Sequence, residues 1–77
     1  MTSYQDCVDM VKAQRPTANG ATVQTGGVGR CYAEIGMTGR DDNASWETTF
    51  FYVFVIGDGV GGTEEYLGEV NSYSLCV

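Results

Sequence analysis

At 77 residues the chain holds one domain, residues 1–77, with a core of limited size. Its 43% apolar content suits a folded domain, and 11 glycines against one proline point to tight turns rather than disorder. Ten acidic residues against four basic ones give a net charge of −6, which disfavours direct binding to nucleic acid or to an anionic membrane, since both need a basic footprint.

The imbalance is local. Asp6, Asp9, Lys12 and Arg15 cancel in the first 20 residues, so the whole net charge falls on the remainder. No apolar run is long enough to span a bilayer. The N-terminal MTSYQDCVDMVK lacks a basic-then-apolar signal pattern, so a cytoplasmic chain is expected (the host cytoplasm, if a phage encodes it). In that setting Cys7, Cys31 and Cys76 are expected to be reduced, buried small hydrophobes, with Cys31 and Cys76 left open as neighbours across strands.

Ser3 to Gln14 predicts a helix. Tyr4, Cys7, Val8 and Val11 form one apolar stripe. Ser3 is a candidate N-cap with Asp6 three residues on, Lys12 and Arg15 suit the C-terminal end, and Pro16 stops it. Thr17 to Gly29 reads as a connection with a turn at Asn19-Gly20 and a possible short strand over Ala21 to Thr25.

Val28 to Thr38 predicts a strand. Cys31, Ala33, Ile35 and Met37 make its apolar face, against which the helix is placed; Arg30, Tyr32, Glu34 and Thr38 lie opposite. Gly39 to Ser45 reads as a polar loop leading, antiparallel, into Trp46 to Ile56. That run is β-branched or aromatic from Thr48 onward and apolar on both faces, which predicts the central strand of the sheet. Gly57 to Gly62 reads as a turn. Thr63 to Val77 predicts a third long strand, slipping near Asn71, with a short helix over Glu64 to Val70 as the alternative. The expected architecture is α+β: one N-terminal helix packed on a three- to four-stranded antiparallel meander sheet, a two-layer sandwich.

Three motifs fail on their own terms. Gly57, Gly59 and Gly62 match GxGxxG, but only 15 residues follow, too few for a βαβ unit, and Glu64 and Glu65 would repel a pyrophosphate. Asp41, Asn43, Ser45 and Glu47 resemble half a calcium loop, yet Trp46 stands where glycine is needed and Tyr52 where the bidentate Glu belongs. Asn43-Ala44-Ser45 is a glycosylation sequon that carries no weight without a secretory signal. With no histidine, neither a zinc site nor neutral-pH acid–base catalysis is expected. No metal, cofactor or catalytic residue is assigned, and an enzyme is not expected.

What remains is surplus apolar surface. One helix covers one sheet face, leaving Tyr32, Trp46, Phe50, Tyr52, Phe54 and Tyr66 as a candidate aromatic interface unless Thr17 to Gly29 folds over it. Asp41, Asp42, Glu47, Asp58, Glu64, Glu65 and Glu69 are the candidate acidic contacts. Together they predict a small acidic inhibitor or adaptor whose partner is a protein with a basic surface, its carboxylates mimicking phosphates in a nucleic-acid groove. In size and charge the chain is similar in type to small acidic phage proteins, anti-CRISPR inhibitors among them, although no motif carries that likeness. The alternative is a homo-oligomeric structural module, a homodimer first, whose aromatic face is the self-interface. A small-molecule sensor fits less well, because so short a chain has little volume for a pocket.

Overall fold

The computed structural model describes residues 3–26, 29–51 and 55–70. Helix α1 spans Ser3–Gln14, as its stripe predicts. Cys7, Val8 and Val11 are buried in the core, with Tyr4 and Met10 packed at its margin. Burying each valine is worth about 1.5–3 kcal/mol, so the stripe fixes the helix to the sheet far more strongly than its propensity does. Arg15 N donates to Val11 O at 2.7 Å, and Ala18 N to Arg15 O at 2.9 Å, turning the chain past Pro16.

The strands are β1 (Gly20–Gln24), β2 (Gly29–Ile35), β3 (Gly39–Asp41), β4 (Trp46–Thr49), β5 (Val55–Ile56), β6 (Asp58–Val60) and β7 (Thr63–Val70). Five form one antiparallel sheet in the order β5-β4-β1-β2-β7, and β3 pairs with β6 in a separate two-stranded ribbon. The α+β class with the helix on one face of an antiparallel sheet is therefore observed, with more strands than expected and not in meander order.

Several expectations need correction. The central strand is β1, the segment read as a connection; Ala21, Thr22 and Val23 are wholly buried in it. Thr17 to Gly29 therefore does not fold over the second sheet face. The run Trp46 to Ile56 is not one strand. It reverses, so that β5 pairs antiparallel with β4, Glu47 opposite Ile56, at the sheet edge. Phe51 takes φ 76 after β4 ends, a left-handed conformation that breaks the extended chain. Apolar composition does not secure burial here: Val55 and Ile56 are exposed, whereas Thr48 and Thr49 are buried.

The loop Gly39 to Ser45 contains β3, and the turn Gly57 to Gly62 contains β6. β2 and β4 are not neighbours, because β1 lies between them. Over Glu64 to Val70 the chain is strand, not helix, and it pairs with β2. A bulge places Leu67 opposite no residue of β2, beside Gly68 at φ 113. The slip expected near Asn71, the strand beyond residue 70 and Cys76 lie outside the described residues.

The expectation of reduced cysteines fails for two of the three. Cys7 of α1 and Cys31 of β2 form a disulfide, Cα–Cα 5.6 Å, in the middle of the helix–sheet core. The helix does lie where expected, over the small residues Cys31 and Ala33, and that close approach brings the two sulfurs together.

Candidate functional site

The face of the sheet away from α1 has two ends. Alternation along β1, β2, β4 and β7 puts Thr22, Tyr32, Glu34, Trp46, Thr48, Glu64 and Tyr66 on it.

At one end is an aromatic row. The Tyr32 ring centroid lies 5.5 Å from that of Trp46, edge to face, and 5.3 Å from that of Tyr66. Tyr32 stands opposite Tyr66 in the ladder, and with Trp46 on β4 it bridges across β1. Tyr66 is 53% exposed, so the row presents apolar edge to solvent. Of the other aromatic candidates, Phe50 is exposed beyond the end of β4, and Tyr52 and Phe54 lie outside the described residues.

At the other end the ribbon crosses the sheet. It lies against the sheet at Gly59, where a β-carbon would stand 2.7 Å from Glu34 Cδ and 2.8 Å from Met37 Sδ, so any side chain there would have to push those groups aside. Beneath it runs a polar line. Thr22 Oγ1 donates to Glu34 Oε2 at 2.7 Å, Thr22 and Thr48 Oγ1 are 2.7 Å apart, and Thr48 Oγ1 donates to Gly57 O at 2.9 Å. Two hydroxyl protons thus serve three oxygen–oxygen contacts, so one lacks a proton unless a carboxyl supplies it. Asn19 closes this end: its side chain donates to Met37 O and accepts from Met37 N, and its backbone N donates to Glu34 O.

Glu34 is buried, and its Oε1 has no hydrogen-bond donor. Asp58 of β6 and Glu64 of β7 converge on it, one oxygen from each of the three lying within 4.8 Å of the others. Burial, then a hydrogen bond and the charge of Glu34, push Glu64 up to about 7. Burial, then the charge and hydrogen bond of Glu64 and the charge of Asp41, push Asp58 up to about 6. As a residue Glu64 is exposed, so solvent moderates the effect.

No family model matches the chain, and neither a curated protein nor a solved structure matches it.

The acidic candidates do not form one patch. Asp41 and Asp58 are paired in the ribbon, Asp42 follows Asp41, and Glu64 adjoins Asp58. These four share the ribbon end. Glu47 faces the helix, where it accepts hydrogen bonds from Tyr4 Oη and Gly26 N. Glu65 pairs with Arg15, and Glu69 stands opposite Arg30. Glu34 is the residue that sequence reasoning missed. Strand alternation alone could not find it: Arg30 on the same face of β2 is exposed, and Glu34 is buried where the ribbon at Gly59 lies over it. Strand, not helix, follows Gly62, so the GxGxxG glycines open no nucleotide-binding turn. Among the described residues no helix is long and apolar enough to cross a membrane.

Proposed function

We propose that the chain is a small acidic protein-binding module, an inhibitor or adaptor that meets a basic surface on its partner. The observation that carries this reading is the Trp46–Tyr32–Tyr66 row, with Tyr32 in ring contact with both others, on the face whose other end carries the carboxylates of the ribbon. Aromatic rings on a firm sheet make good anchors, and neighbouring like charges steer an oppositely charged partner and set its orientation. A nucleic-acid groove is the basic surface that such carboxylates suit, standing in for phosphates, which is the anti-defence reading. The module acts by binding, not by catalysis.

A cytoplasmic location belongs to the same proposal, and the Cys7–Cys31 bridge weighs against it, because disulfides persist in oxidising compartments.

The test uses Asp41→Asn combined with Asp42→Asn, both exposed and remote from the core. Wild type is expected to retain a basic protein from an extract of the source cells, and the neutralised variant to retain it several-fold less at low salt. Retention unchanged by neutralisation would overturn the role of the charges.

Self-association is the second reading, favoured by the position of the eight-residue β7 at the edge of the sheet, where among the described residues no further strand pairs with it. Light scattering across a concentration range separates it: a mass that doubles with concentration supports it, and a constant monomer mass removes it.

A further inference from the structure

We propose that Glu34, Asp58 and Glu64 form a binding site for a hard divalent cation, calcium by the flexibility of its coordination, which ties the β3–β6 ribbon to the sheet. This inference does not rest on the protein-binding reading.

The carboxylates come from three different strands, β2, β6 and β7, and converge because the ribbon passes within glycine distance of the sheet. Glu34 is 1% exposed, and its Oε1 is buried with no hydrogen-bond donor, although Thr22 satisfies Oε2. A buried carboxylate oxygen left unpaired is costly. Among the described residues no basic side chain answers it: Arg15 pairs with Glu65, Arg30 stands opposite Glu69 toward the other end of β2, Arg40 Nε donates to Ile56 O, and Lys12 lies over the Phe51 ring. One oxygen of this buried carboxylate lies within 4.8 Å of an oxygen of each of the other two, and a cation would be held among them.

The donor set selects the class of ion. It is all oxygen, with neither thiolate nor imidazole, so it favours hard cations over zinc or copper. Oxygens within 4.8 Å of one another are close enough to share one such ion. Calcium accepts irregular, flexible coordination, whereas magnesium demands near-ideal octahedral geometry and gives up its water reluctantly, so an all-protein carboxylate set favours calcium. Three carboxylates leave the remaining positions to water, which places the affinity in the weak range, about 10⁻⁴–10⁻³ M. Glu64, on the exposed side, gives the ion its entry.

The test is a thermal melt of the full chain, stripped with EDTA and dialysed, against CaCl2, with NaCl of equal ionic strength as the reference. Wild type is expected to gain about 5 °C or more at 10 mM CaCl2. Glu64→Gln removes a ligand from an exposed position, so it folds, and it is expected to lose most of that gain; Asp58→Asn is expected to do the same. Isothermal titration of wild type with CaCl2 should give one saturable site, absent in Glu64→Gln. A wild-type melt that CaCl2 moves no more than NaCl does would overturn the proposal. So would calcium responses in both variants equal to that of wild type.

Discussion

Glu34 on β2 and Glu64 on β7 stand directly opposite each other in the antiparallel ladder. Like charges at such a position repel, and here one of the pair is buried. Asp58 adds a third carboxylate from the ribbon, and Asp41 lies beyond it on β3. The sheet therefore carries a concentrated negative charge at one end of its second face and an aromatic row at the other.

The first consequence is an unusual pH dependence. With Asp58 raised to about 6 and Glu64 to about 7, the folded chain holds protons that the unfolded chain releases near pH 4. Their contribution to stability is fully present below the unfolded values and is lost as pH rises through 6 and 7. The melting temperature of the metal-free protein is expected to fall between pH 5 and pH 8, and Glu64→Gln should flatten that fall. A wild-type melting temperature that holds level or rises across this window would contradict it.

The disulfide gives a second prediction. Cys7 and Cys31 are 24 residues apart, and closing a loop of that length is worth about 2–4 kcal/mol. Urea unfolding with and without reductant should show a loss of that size, and Cys31→Ala should match the reduced protein. Equal stability of the oxidised and reduced chains would show that the helix needs no covalent tie.

Gly59 provides a third. A methyl group there would stand 2.7 Å from Glu34 Cδ and 2.8 Å from Met37 Sδ, with the glutamate pinned by Thr22. Gly59→Ala is expected to destabilise the fold by about 1–3 kcal/mol in urea unfolding. A neutral substitution would mean that the ribbon does not lie tightly on the sheet.

The helix was legible to the residue, because Tyr4, Cys7, Val8 and Val11 repeat at helical spacing and Pro16 ends the run. So was the face on which it rests, since Cys31 and Ala33 are small and alternate with polar neighbours. With Cys7 on that stripe and Cys31 on that face, the disulfide was within reach of the same reasoning; an expectation about compartment outweighed it. The central strand was obscured for a different reason. GATVQ is short and built of small residues, whereas the aromatic run beside it looks more like a core. Which strand lies in the middle is decided by long-range pairing, and Ala21 and Thr22 are central because β2 and β4 both pair with them. The carboxylate cluster was unreadable for the same reason: Glu34, Asp58 and Glu64 meet only when the ribbon folds across, and no local spacing encodes that.

The claim that the aromatic end of the second face meets a protein partner is tested most directly by parallel capture with wild type and Tyr66→Glu as bait on one extract, read by quantitative mass spectrometry. Tyr66 is more than half exposed, so the change leaves the core intact, which a melt of the variant checks. The expected result is a basic protein enriched on wild type and reduced at least tenfold on the variant. Identical captures from the two baits would contradict the claim.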